Sequence, residues 1–180
     1  MQSSVTKQPR GCLATLAVFL VMSGILVGGF MAARVTALVP LGPINVGLGV
    51  HVTPAEGWEF GGRTEDGNTI LLSRGNGSLA VTVIADQTAL DALTALRNEW
   101  LASATVTASD IAPVMDVRSG ALRFGYSGTF DDLAAKVEGE VHGIQGASGV
   151  TVVFDSWAGT GQYVGVRDDV VSMINTAVIP

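Results

Sequence analysis

The chain has 180 residues, a net charge of −6 and one cysteine, Cys12. All 16 acidic residues and seven of the ten basic ones lie beyond Arg34, so that part carries −9, which excludes nucleic acid as a partner and electrostatic adhesion to anionic lipid. A single cysteine excludes an intrachain disulfide, so the fold has to rest on a hydrophobic core, which about 130 residues can supply.

Residues 1–10 form a polar tail. The 23 residues from Gly11 to Ala33 carry no charge. As a helix they reach about 34 Å, against a hydrocarbon core of roughly 30 Å, so the run reads as a transmembrane helix. Lys7 and Arg10 precede it and the first carboxylate, Glu56, lies far beyond it. That asymmetry places the N-terminus in the cytoplasm and the C-terminal domain outside. A signal peptide cut near Val35-Thr36-Ala37 is the rival. The apolar run is longer than the usual h-region of about 7–15 residues, and Arg34 stands between it and the cut, which favours an uncleaved single-pass signal anchor. Cys12 precedes the run instead of following it, unlike a lipoprotein cysteine. Gly24, Gly28 and Ala32 recur every four residues, a small-residue stripe that suits a helix–helix contact and a homo-oligomer through the span. Small residues are also common in membrane helices generally.

Residues 34–45, with Pro40, Gly42 and Pro43, read as a short extended linker, and residues 46–180 as one extracytoplasmic domain. Val46 to Val52 alternates and predicts a strand, which Thr53–Gly57 breaks. Trp58 and Phe60 share one face of the next. Thr69–Ser73 and Leu79–Ala85 are β-rich runs separated by Arg74-Gly75-Asn76-Gly77-Ser78, a hairpin signal centred on Asn-Gly. Thr88 and Asp91 resemble a capping box ahead of a helix with Leu90, Leu93, Leu96 and Trp100 at helical spacing. Residues 102–112 read as loop and Val114–Val117 as a short strand. Leu122, Phe124, Tyr126 and Phe130 share one face of a long strand. In the next, Val137, Gly139 and Val141 alternate with Lys136, Glu138, Glu140 and His142. On the following strand Val150, Val152 and Phe154 face one way and Val153 and Trp157 the other. Val170, Met173, Ile174, Ala177 and Val178 form the buried stripe of a closing helix.

Consecutive strands with short turns pair antiparallel, and two amphipathic helices have to cover a sheet face. The expected fold is α+β: an N-terminal transmembrane helix, then a mostly antiparallel sheet packed with two helices. The early Pro-x-x-Gly-Trp from Pro54 to Trp58, the hairpin, the helix, the meander and the closing helix with Met173-Ile174 together resemble the PsbP/Mog1-like domains over about residues 46–180. Such domains also occur behind membrane or lipid anchors in actinobacteria. The resemblance implies a binding or assembly role and carries over no site residue.

The best constellation for chemistry is Glu138, Glu140 and His142, which alternation puts on one strand face about 6.5–7 Å apart per step of two. Carboxylate and imidazole are metal-ligand types, and Asp131 or Asp155 brought near by folding could complete a hydrolase or metal-dependent site. Lys136 shares the face, and ligands two apart on one strand do not close a coordination shell, so a solvated sheet face is expected and no metal or cofactor is assigned. Asp131-Asp132 and Asp168-Asp169 lack the spacing of a calcium loop. Gly125-Tyr126-Ser127-Gly128 is one residue short of a nucleophile elbow. Asn76-Gly77-Ser78 satisfies a glycosylation sequon that the turn itself explains. Trp58, Trp100 and Trp157 lie on apolar faces and read as core. The expectation is a membrane-anchored binding or assembly module without catalysis, for a protein partner or a small apolar ligand. An exported hydrolase or metal enzyme on the acidic/His face is the alternative.

Overall fold

The computed structural model describes residues 42–102, 105–130 and 136–180. The expected tail, the span over residues 11–33 with Gly24, Gly28 and Ala32, most of the linker and the pair Asp131-Asp132 lie outside the described residues. Among the described residues no helix is long and apolar enough to cross a membrane.

Among the described residues, ten strands and two helices follow in chain order. They are β1 (Ile44–Gly47), β2 (Val50–Val52), β3 (Glu59–Arg63), β4 (Thr69–Arg74), β5 (Gly77–Ile84), α1 (Ala89–Ala102), β6 (Val106–Ala108), β7 (Ala112–Pro113), β8 (Leu122–Gly128), β9 (Val137–Gln145), β10 (Thr151–Gly159) and α2 (Val164–Thr176). One antiparallel sheet of eight strands runs β3-β4-β5-β10-β9-β8-β6, with β7 pairing β8 beside β6. β1 and β2 form a separate hairpin. The expected antiparallel α+β fold is thus present.

Each helix covers its own sheet face, so the domain has three layers. Along β10 the alternation splits the two cores. Val152, Phe154 and Ala158 join Ile70, Leu72, Leu79 and the α2 residues Val170, Met173 and Ile174 on one side, with the β1–β2 hairpin packed there as well. Val153 and Trp157 join Phe124, Tyr126, Val141 and the α1 residues Leu93, Leu96 and Trp100 on the other. Both helices are amphipathic, and each removes one apolar stripe from water, worth about 1.5–3 kcal/mol for every fully buried large side chain. All three tryptophans are buried, as expected. Trp100 stands edge-on to Phe124, Tyr126 and Phe130 at centroid distances of 5.7, 4.6 and 5.3 Å, the favoured aromatic geometry.

Several local expectations shift. Val46–Val52 is not one strand. Gly47, Leu48 and Gly49 all adopt positive φ, and the chain doubles back into the β1–β2 hairpin. The β4–β5 turn is Gly75-Asn76, one residue earlier than expected: Arg74 pairs with Gly77, and the positive φ of 56° falls on Gly75. Gly77 is a strand residue whose reason is space, because a Cβ there would stand 2.6 Å from Val166 Cγ1 on α2. Half of the expected capping box forms: Thr88 Oγ1 accepts from the Asp91 amide at 3.1 Å, while the Asp91 side chain takes the Thr88 hydroxyl, which donates to Oδ2 at 2.7 Å.

Within the expected loop 102–112, β6 forms an edge strand on β8. Val114–Val117 is not a strand but the first half of a strap, residues 114–121, that turns over the sheet with Val114, Val117 and Ala121 buried beneath it. Helix α2 ends at Thr176, and Val178 leaves the expected buried stripe to form an exposed bridge with His51. The Pro-x-x-Gly-Trp segment is a turn that tucks Trp58 under α2, where its Nε1 donates to Asp169 Oδ2 at 3.0 Å. Arg74 binds the same carboxylate, so Asp169 joins three elements.

Candidate functional site

Strand β9 runs between β8 and β10, and its Glu138, Glu140, His142 face is the one covered by α2 and the strap. The alternation read from the sequence is therefore right, and the solvated surface expected for it is not what folding produces. A neighbouring helix and strap bury this face because Ile144, Phe154 and the α2 stripe demand cover on the same side.

The three side chains part company. Glu138 reaches the start of α2, where its Oε1 accepts from the Gly161 amide at 2.9 Å and the Tyr163 amide at 3.3 Å. A carboxylate there satisfies amides that the helix cannot, and meets the positive end of its dipole. Glu140 sits between two guanidinium groups: Oε1 accepts from Arg123 Nη1 at 2.8 Å, and Arg167 Nε lies 3.3 Å from Oε2. Arg167 then donates from Nη2 to Asp116 Oδ2 on the strap at 2.9 Å. This hydrogen bond holds the Asp116 carboxyl below its usual range and pushes the Arg167 guanidinium up.

His142 is 0% exposed and neither ring nitrogen has a hydrogen-bond partner. Burial lowers its pKa to about 4, opposed by Glu140 and assisted by Arg123 and Arg167. Beside it, Ser156 Oγ donates to the Glu140 carbonyl at 2.9 Å and meets Tyr163 Oη at 2.7 Å. Burial raises the Tyr163 phenol.

Among the described residues no three His, Cys, Asp or Glu side chains group to hold a metal ion. Glu138 is spent on the helix end, and two cations already occupy Glu140. Asp155, the other carboxylate considered for this site, points to the opposite face of the sheet. There Tyr126 Oη donates to its Oδ1 at 2.8 Å, and burial pushes its pKa up to about 7. Glu99 on α1 is also raised by burial, with Oε2 unpartnered. A separate shallow cleft of about 330 Å³ opens where β5, α1 and the β9–β10 turn meet, lined by Asp86, Gln87, Thr88, Asp91, Gln145 and Gly149.

Sequence reading found Glu140 and His142 but missed Arg123, Arg167, Asp116, Ser156 and Tyr163. Two signals were available. Arg123 precedes Phe124 in an alternating strand, so it had to emerge on the face opposite Phe124. Ser156 sits between Asp155 and Trp157 and had to share the Phe154 face. Arg167 and Asp116 come from a helix and a strap whose docking no local pattern announces.

The exposed large apolar side chains include Leu48, Met115 and Val178, at 53%, 97% and 59%. They stand on the hairpin tip, the strap and the C-terminal segment, which the structure ties together. His51 exchanges backbone hydrogen bonds with Val178 at 3.0 and 2.9 Å, and Arg118 Nη1 donates to the Ala177 carbonyl at 2.8 Å.

No family model matches the chain, and no curated protein matches it. Among solved structures the chain is similar to cyanobacterial PsbP (CyanoP) from Synechocystis sp. PCC 6803, at 11% identity and a TM-score of 0.47, over 85% of this chain and 100% of that one. It is also similar to LpqN of Mycobacterium tuberculosis, a protein involved in cell envelope biogenesis, at 13% identity and a TM-score of 0.46, over 77% of this chain and 90% of that one. Both likenesses concern the fold and carry no residue roles.

Proposed function

We propose that this chain is an extracytoplasmic binding or assembly module without catalytic activity, held on the membrane by a span over residues 11–33. The observation that supports it is how the polar face of β9 is used. Glu138 serves a helix end, Glu140 serves two arginines and His142 is shut from solvent, while Leu48, Met115 and Val178 stand exposed on three connected segments. Exposed large apolar side chains on connected segments offer a surface that a partner can cover. The reading is a protein partner with an apolar contact surface, met at this rim. A hydrolase or metal enzyme on Glu138, Glu140 and His142 has against it that two arginines and a helix N-terminus compete for the same carboxylates.

The test is capture of partners by the full chain from detergent-solubilised membranes. Leu48→Glu with Met115→Glu should reduce capture of any specific partner by about tenfold or more, because charge at the core of an interface is strongly disfavoured. Undiminished capture by this variant would sink the rim as the docking surface. The anchoring has its own readout: protease added to spheroplasts should remove the domain and leave the N-terminal tail shielded, and protection of the domain would reverse the orientation.

A further inference from the structure

Two of the buried polar atoms without a hydrogen bond face each other. Glu140 Oε2 and His142 Nε2 lie 3.8 Å apart, beyond hydrogen-bond reach. The groups around this imidazole are few and can be named. Its own strand supplies Glu140. β8 supplies Arg123, its register partner, and β10 supplies uncharged Phe154. Arg167 comes from α2 and Asp116 from the strap. With His142 neutral, two cations balance two anions. A proton on His142 adds an uncompensated charge on a ring cut off from water, which is costly unless the cluster rearranges.

The strap is tied by its own turn, by α2 and by the core beneath it, where Val114, Val117 and Ala121 are buried. Its own turn is closed by the Val114 amide on the Ala121 carbonyl at 3.1 Å and the Ala121 amide on the Arg118 carbonyl at 3.2 Å. It is held to α2 by Arg167 on Asp116 at 2.9 Å, and by Asn175, whose Oδ1 accepts from the Arg118 amide at 2.8 Å and whose Nδ2 donates to the Asp116 carbonyl at 3.3 Å; just past the helix, Arg118 Nη1 donates to the Ala177 carbonyl at 2.8 Å. Arg167 and Asp116 are both partly exposed, so their arms can turn into water at little cost.

We propose that His142 is a buried proton switch for the strap: when the imidazole takes up a proton, its Nε2–H bonds Glu140 Oε2, Arg167 gives up that carboxylate, and the segment held through Asp116 comes off α2. The proton goes from solvent to the imidazole, and no other group changes its covalent state. Burial depresses the imidazole in the closed form and release of the strap relieves that burial. The open form therefore binds the proton more tightly, and the closed form loses stability as pH falls from about 6.5 toward about 4. Met115 rides on this strap, so the switch would also move the rim proposed above, but it stands without that reading and is tested without a partner.

The test follows amide exchange of Val114, Arg118 and Ala121 in the full chain in detergent from pH 6.5 to 4, corrected for the intrinsic rate, with the His142 imidazole signals followed in the same sample. Protection of the three amides should fall about tenfold or more as His142 titrates, while the β9–β10 ladder keeps its protection. His142→Phe keeps every carboxylate and should lose this transition; His142→Gln serves the same purpose if the phenylalanine variant does not fold. The proposal is overturned if the strap opens at the same pH in these variants, if His142 takes up its proton with no change in strap protection, or if protection does not change at all.

Discussion

Asp155→Asn should shift the balance of stability in favour of the variant by about 4 kcal/mol between pH 4 and pH 8. Asp155 is 5% exposed in the middle of the sheet, under α1, and its Oδ1 accepts from Tyr126 Oη at 2.8 Å. Burial raises its pKa from 3.8 to about 7, against the Tyr126 hydrogen bond, which pulls it down. The folded state therefore keeps a proton that the unfolded state releases above pH 4. Stability from this group is full at low pH, falls as pH rises from about 4 to about 7, and is flat beyond. Asparagine accepts the same bond from Tyr126 and never ionises, so its profile lacks that fall. Its amide N–H₂ must be buried at every pH, a constant offset of about 1–3 kcal/mol that does not alter the slope. Chemical denaturation at pH 4, 6 and 8 reads the difference. Parallel profiles for the two proteins would show that Asp155 is not the buried acid described here.

Gly139→Ala carries the other large expected effect, a loss of more than about 3 kcal/mol or failure to fold. A Cβ at this position would stand 2.1 Å from the Ser156 carbonyl oxygen, 3.0 Å from Trp157 Cα and 3.0 Å from Tyr126 Cζ. Two of those neighbours are backbone of β10, and β9 is hydrogen-bonded on both sides, so neither strand can retreat without breaking a ladder. The same missing Cβ lets the Tyr126 ring cross β9 toward Asp155, which makes Gly139 part of the route by which that carboxylate finds its partner. Gly165 is the internal control. It lies in the first turn of α2 with nothing within 4 Å of an added Cβ. Gly165→Ala should be neutral or stabilise by up to about 1 kcal/mol through helix propensity. Urea midpoints compare the pair, and equal effects at the two positions would refute the packing argument for Gly139.

Much of the secondary structure was legible because each periodic run buries one face. The α1 stripe with its Thr88 cap, the β8 aromatic face and the split of β10 into two faces all follow from residue order alone. The misses share a cause. Nothing local distinguishes Val46–Val52 as a straight strand from a hairpin until the backbone at Gly47, Leu48 and Gly49 is placed. Val114 and Val117 are buried as strap residues and not as strand residues, so hydrophobicity was read correctly and extension was not. β6 is three residues long and exists because the β8 edge offers it unpaired groups.

For the candidate site, alternation put Glu138, Glu140 and His142 on one face, and that much is a property of any β-strand. Composition likewise determined that the chain beyond Arg34 is acidic, free of disulfides and dependent on a hydrophobic core. Only the tertiary structure decided which layer covers that face. Once α2 and the strap close over it, Glu138 becomes a helix cap, Glu140 a hub for Arg123 and Arg167, and His142 a neutral imidazole without a partner. Local periodicity reports which side of a strand a residue occupies, whereas the dielectric and the counter-ions that set its chemistry come from elements remote in sequence, as Arg167 comes to Glu140 from 27 positions away.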